Sequence, residues 1–172
     1  FSFMKEYNIA SIPGDGIGKE IMAACLKLLD KVQSKVGGYS LNYKTVDAGA
    51  EFYVRTGIDI TDSDFRACGE ADAILSGAMG LPDVFFKDGT EIAPHLKIRD
   101  TYGLYAGVRP VKAYPNTPIM LADERAKNID FVILRESTEG MFASRGKGEV
   151  INDSVARDTM EITRATSEKL FD

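Results

Sequence analysis

The strongest constraint on the fold is a junction near the start of the chain, where an apolar run meets a glycine-rich turn and a helical repeat follows. Residues 7–12, Tyr-Asn-Ile-Ala-Ser-Ile, read as a short buried strand. Pro13-Gly-Asp-Gly-Ile-Gly18 then turns the chain. Ile21, Ala24, Cys25, Leu28, Leu29 and Val32 recur at helical spacing, so a helix is expected over 19–35, closed by Gly37-Gly38. The alternation continues with a strand over 41–47, a short helix over 48–55, and a helix capped by Thr61 or Asp62 that runs to Cys68. A second buried strand, 71–76, ends in the loop Gly77-Ala-Met-Gly80. Strand and helix in turn predict an α/β fold with parallel neighbours. Both glycine loops lie at carboxyl ends of strands, where ligands collect in such folds.

The remainder is less regular. A loop over 81–91 leads to a helix near 92–101 that carries His95 and Arg99. An extended stretch over 104–114 is broken by Pro115 and Pro118. A buried strand over 130–135, a charged glycine-rich loop over 139–148, a strand over 149–155 and a helix from near Asp158 complete the expected elements. No internal repeat or low-complexity segment is visible.

Composition limits the function classes. The net charge of −5 disfavours nucleic acid as a partner, although a local arginine cluster could still hold an anionic small molecule. No apolar run approaches the ~20 residues of a membrane span, and no signal peptide is seen. The two cysteines, Cys25 and Cys68, lack metal-ligand spacing and read as buried or half-buried thiols of a reducing compartment. A cytoplasmic location is expected, with an organelle matrix as the other choice.

Two groups of residues invite a chemical reading. Gly14-x-Gly16-x-Gly18 between strand and helix could approach a phosphate, but the dinucleotide fingerprint needs Gly-x-Gly-x-x-Gly. A structural turn, with Asp15 capping the helix that follows, explains it equally well. The second group is Arg99, Arg109 and Arg135. Arg99 lies on the expected 92–101 helix, Arg109 just before Pro110 in the extended stretch, and Arg135 at the end of an apolar strand. Guanidinium forks suit carboxylates, so three that converge could bind a di- or tricarboxylate. Three separate salt bridges to Asp or Glu are the alternative.

Several spaced motifs carry a family resemblance over nearly the whole chain. Ile12-Pro-Gly-Asp-Gly-Ile-Gly-Lys-Glu20 resembles the opening motif of the isocitrate/isopropylmalate dehydrogenases, and Gly77-Ala-Met-Gly80 resembles their second glycine loop. Leu96-Lys-Ile-Arg99 and Leu104-Tyr-Ala-Gly-Val-Arg-Pro-Val111 are similar to the family's helix and strand, with the same ten-residue gap between arginines. Phe131-Val-Ile-Leu-Arg-Glu-Ser-Thr-Glu-Gly140 resembles the third arginine motif.

The resemblance implies an α/β, isopropylmalate dehydrogenase-like two-domain fold with helices around a mixed sheet, of which this is the N-terminal half. Residues 1–104 would begin the large cofactor-binding domain and 105–172 the smaller substrate and dimerisation domain. The implied reaction is NAD- or NADP-dependent oxidative decarboxylation of a 3-substituted malate, isopropylmalate-like or isocitrate-like, with Mg²⁺ or Mn²⁺. Arg99, Arg109 and Arg135 would clamp the malate carboxylates. Ile17, Gly77, Ala78 and Met79 would line the nicotinamide side of the cofactor site. His95, four residues before Arg99, would share the helix face that reads the substituent at carbon 3; a surface or structural role is its alternative.

The resemblance also implies a homodimer, and it places the catalytic lysine, the metal-binding aspartates and much of the cofactor site beyond residue 172. One departure stands out. The family's proton-donating tyrosine falls at Phe142, which has no acidic proton. The alternative to an enzyme is therefore a catalytically silent regulatory subunit or fragment that keeps the carboxylate-binding arginines.

Overall fold

The computed structural model describes residues 4–172. Contacts divide the chain into two compact units, the first ending at Ile98 and the second running from Arg99 to Asp172.

The first unit is built on a parallel sheet of order β2-β1-β3, formed by β1 (Lys5–Ile12), β2 (Tyr39–Thr45) and β3 (Ala73–Ser76). β1 is central: Ile9 lies beside Tyr43 of β2 on one side and Ala73 of β3 on the other. That position explains why Ala10, Ser11 and Ile12 are buried in succession, as a strand covered on both faces requires. Around them lie α1 (Ile17–Val36), α2 (Ala50–Thr56) and α3 (Asp62–Glu70), while α4 (Pro94–Thr101) crosses the division between units. Ile12, Val46 and Ile92 are fully buried, each contributing roughly 1.5–3 kcal/mol of transfer free energy. Thr61 caps α3 by accepting from the Asp64 amide at 3.1 Å, and the Gly37 amide closes α1 on the Gln33 carbonyl at 2.9 Å.

α1 departs from its expected packing. Ile21, Leu28 and Val32 are exposed, and the inner face is formed instead by buried Gly18 and Met22 with half-buried Cys25, Leu29 and Gln33. Gln33 is held inward because its side-chain oxygen accepts the Leu41 amide of β2 at 2.6 Å. The apolar stripe is thus wider than the face that the described residues cover.

In the second unit β4 (Ala106–Lys112) pairs antiparallel with β5 (Asp130–Glu136). Parallel and antiparallel pairings therefore lie in separate sheets among the described residues. A 3-10 turn at Glu124–Asn128, capped by the Asp123 carboxylate on the Arg125 amide, has no counterpart among the expected elements. The expected strand over 149–155 is instead a hairpin of β6 (Glu149–Asn152) and β7 (Val155–Arg157). Asn152 ends β6 by accepting the Ser154 amide on its own side chain at 2.9 Å. The last helix, α5 (Arg164–Phe171), starts later than Asp158 because Thr163 supplies the cap, accepting the Thr166 amide at 3.3 Å.

Candidate active site

Within the first unit the two glycine loops are locked together. The Asp15 amide donates to the Ala78 carbonyl at 2.8 Å, and the Gly77 amide donates to the Ile12 carbonyl at 2.8 Å. The approach is close enough to require glycine. A Cβ on Gly14 would lie 2.0 Å from the Ala78 carbonyl oxygen, and one on Gly77 would lie 2.2 Å from that of Pro13. These glycines are consumed by backbone packing and leave no phosphate cradle of their own.

The sequence suggests Asp15 as a cap for α1, but its buried carboxylate turns the other way. It accepts from the amides of Ala50 at 2.9 Å and Glu51 at 2.8 Å, and so caps α2 behind Gly49. It also accepts from the Gly80 amide at 2.7 Å. One side chain therefore joins the first loop, the second loop and α2. α1, left without a side-chain cap from its own loop, is served by Glu51: the Gly16 amide donates to that carboxylate at 2.9 Å, and Lys19 pairs with it. These bonds hold the Glu51 carboxyl below its usual range, the Lys19 hydrogen bond foremost. An anion already occupies the position where a phosphate would use the helix end. What the loops do offer is apolar surface, since Ile17 is 65% exposed on the first turn of α1 and Met79 is half-buried beside Gly14. Ile17, Gly77, Ala78 and Met79 are thus neighbours on joined loops.

The arginines belong to the second unit. The β4–β5 register sets Gly107 opposite Arg135 and Arg109 opposite Ile133. Residues directly opposite share a face, so Arg109 and Arg135 stand on one face at diagonal positions, with Cβ atoms about 7–8 Å apart in such a pair. Opposite Arg135, Gly107 offers no side chain, and the Ser137 hydroxyl lies 3.3 Å from where its Cβ would stand. The Arg135 guanidinium lies over the Phe142 ring, 5.4 Å from its centre, and its Nε–H is buried with no hydrogen-bond partner among the described residues. Arg99, in the last turn of α4, is half-buried. Its neighbour Asp100 pairs with Arg145 at 3.8 Å, which brings the end of α4 near the loop that carries Phe142.

Lysine and arginine form five ion pairs among the described residues, and none involves Arg99, Arg109 or Arg135. Three separate salt bridges are thus not formed among the described residues. His95 is half-buried on α4, one helical turn before Arg99.

The acidic residues of the third motif have local work. Glu136 accepts from the Thr138 amide at 2.7 Å, the Thr138 hydroxyl at 2.6 Å and the Glu139 amide at 2.7 Å. Burial raises its carboxyl, but these bonds together outweigh burial and lower it. Glu139 accepts from the Thr163 hydroxyl and amide and from the Thr166 hydroxyl at 2.6–2.8 Å, tying the loop to the start of α5. The hydroxyl of Thr163 is foremost in lowering the Glu139 carboxyl. Sequence reasoning assigned neither glutamate; turn-forming Ser and Thr beside each were the available signal. Among the described residues no three His, Cys, Asp or Glu side chains could hold a metal ion, so this set does not fit Mg²⁺ or Mn²⁺.

Comparison with known proteins agrees with the motifs. The family model described as isocitrate/isopropylmalate dehydrogenase matches residues 8–172. A probable tartrate dehydrogenase/decarboxylase of Agrobacterium vitis is 35% identical over 144 residues, 83% of this chain and 40% of that protein. A 3-isopropylmalate dehydrogenase of Staphylococcus haemolyticus is 33% identical over 168 residues, covering 95% of this chain and 47% of that protein. The crystal structure of isocitrate dehydrogenase from Methylococcus capsulatus superposes with a TM-score of 0.75 at 26% identity, covering 95% of this chain and 45% of that one. The chain spans a little under half the length of the curated relatives it matches.

Proposed function

The chain belongs to the isocitrate/isopropylmalate dehydrogenase family, and from that premise we propose that it forms the substrate-clamping half of an NAD(P)- and divalent-metal-dependent β-decarboxylating dehydrogenase of a 3-substituted malate. The observation that carries this reading is the pair Arg109 and Arg135, on one face of the β4–β5 ribbon and with no carboxylate of the described residues to neutralise them. Two adjacent uncompensated guanidinium groups repel each other and are stabilised by a bound dianion.

In this reading Arg109 and Arg135 hold the malate carboxylates, and Arg99 completes the clamp. Their forks would orient the hydroxyl-bearing carbon and offset negative charge as the 3-carboxylate departs as carbon dioxide. NAD(P), when bound, accepts the hydride from carbon 2; Ile17, Gly77, Ala78 and Met79 would form its nicotinamide wall. His95 would face the substituent at carbon 3. The described residues supply no ligand set for the metal. The lean is toward NAD, an isopropylmalate-like substrate, a homodimer and a cytoplasmic location, on overall resemblance. Residues 1–104 would belong to the cofactor-binding domain and 105–172 to the substrate and dimerisation domain.

Phe142 favours a second reading, a subunit that binds the acid without turning it over, because its ring has no proton to give and is engaged with Arg135. NADH formation by the full-length gene product separates the two, assayed with Mg²⁺ or Mn²⁺ against 3-isopropylmalate, isocitrate, homoisocitrate, D-malate and tartrate. Turnover of one substrate supports the enzyme. Binding without turnover supports the silent subunit, and neither binding nor turnover refutes both.

A further inference from the structure

We infer that Phe142 is a positioning residue, whose ring face sets the plane of the Arg135 guanidinium for carboxylate recognition. The inference rests on the malate-binding reading of the arginine face. Three observations support it. The guanidinium carbon lies 5.4 Å from the ring centre, inside the range in which a cation is attracted to an aromatic face. The Arg135 Nε–H is buried without a hydrogen-bond partner, so the protein's own polar groups do not fix the fork. The Phe142 backbone, in contrast, is well held. Its amide donates to the Glu139 carbonyl at 3.2 Å and its carbonyl accepts the Arg145 amide at 3.3 Å. Glu139 is in turn bound by Thr163 and Thr166, and the buried Ser144 hydroxyl donates to the Met141 carbonyl at 2.9 Å.

A hydrogen-bonded turn therefore presents a ring to a guanidinium that has no other partner among the described residues. Opposite Arg135 the strand position is Gly107, which contributes no side chain of its own to that side. A guanidinium held with one face to a ring keeps its edge for the N–H donors that meet a carboxylate. On this reading the ring contributes through its face alone, and a hydroxyl at its tip is unnecessary to the binding step.

The test is calorimetric binding of 3-isopropylmalate, D-malate and tartrate to the full-length gene product. Phe142→Leu removes the π face, Phe142→Tyr retains it, and Phe142→Met serves as a second ring-less variant should leucine disturb the turn. The expected result is about three- to tenfold weaker binding for the ring-less variants. Phe142→Tyr should stay within about twofold of wild type, and the melting temperature should be unchanged throughout. A double-mutant cycle adds a readout that a purely structural role would not move. In an Arg135→Lys background the loss caused by Phe142→Leu should largely vanish. Equal binding by wild type and the ring-less variants overturns the inference alone, as does a Phe142→Leu effect that persists undiminished in the Arg135→Lys background. Failure of wild type to bind any of the three acids overturns the malate reading, and the inference with it.

Discussion

Replacing Asp15 tests the idea that one carboxylate assembles the glycine-loop region. Its oxygens accept three backbone amides, from Ala50, Glu51 and Gly80, at 2.7–2.9 Å, and the residue is 2% exposed. Hydrogen bonds to a charged group contribute roughly 1.5–3 kcal/mol each, and a buried donor left alone costs about 1–3 kcal/mol. Asp15→Ala orphans all three amides while relieving the desolvation of one buried carboxylate. The expected net loss is roughly 3–6 kcal/mol. Asp15→Asn is gentler. With its amide oxygen facing Ala50 and Gly80, two bonds survive without charge and the NH₂ opposes the Glu51 amide, for a loss of about 1–3 kcal/mol. Urea unfolding of the full-length gene product, followed by far-UV circular dichroism, gives both values from the midpoint and slope. Asp47→Asn is the control, because that exposed carboxylate pairs only with the equally exposed Arg55 and should cost under about 0.5 kcal/mol. An Asp15→Ala variant within about 1 kcal/mol of wild type would refute the reasoning, as would unchanged hydrogen-exchange protection of the Gly80 amide in that variant.

Other outcomes follow from the same geometry. Gly14→Ala places a methyl group 2.0 Å from the Ala78 carbonyl oxygen at a φ of +74°, so the variant should lose at least about 2 kcal/mol or fail to accumulate as folded protein, read by the same unfolding assay. Arg109→Ala should weaken binding of malate-type acids at least about tenfold and leave the melting temperature within a few degrees, by titration calorimetry and thermal denaturation. Glu139 has a folded-state pKa below its ordinary value of 4.5, chiefly through Thr163, so its contribution to stability is present above that value and is lost as pH falls through the lowered one. Unfolding followed from pH 7 downward should therefore show a smaller acid-side loss in Glu139→Gln, and identical profiles would remove the assignment.

Much of the fold was legible because its signals are local. The strand–glycine–helix succession, the Thr61 cap and the Gly37 stop each depend on a few adjacent residues, and each forms as expected. Differences arise where a long-range partner decides the outcome. Asp15 looks like a cap for the helix beside it, yet the amides it serves are 35, 36 and 65 residues away. The start of α5 moves from Asp158 to Thr163 because Glu139, 24 residues earlier, fixes Thr163. No local pattern contains those separations. The α1 stripe differs for a related reason: periodicity shows which residues are apolar, and not which side a neighbouring strand occupies.

The candidate site was legible in a different way. Spacing alone does not say whether Arg109 and Arg135 share a face; that depends on the register of β4 against β5. A one-residue slip in β4 against β5 would have sent Arg109 and Arg135 to opposite faces. The observed pairing puts them together and leaves Val108, Val132 and Leu134, which are 51–61% exposed, on the reverse face. The arginine face also carries Val111, Phe131 and Ile133, which are exposed as well, so the two guanidinium groups stand beside apolar side chains. In the glycine loops, by contrast, the amides of Asp15, Gly16, Gly18, Gly77 and Gly80 and the buried Asp15 carboxylate all have partners within the first unit. Unmet demand, rather than residue type, marks where this chain is prepared to receive something else. The two arginines of the ribbon have such demand among the described residues, and the N-terminal turn of α1, already bonded to Glu51, has less.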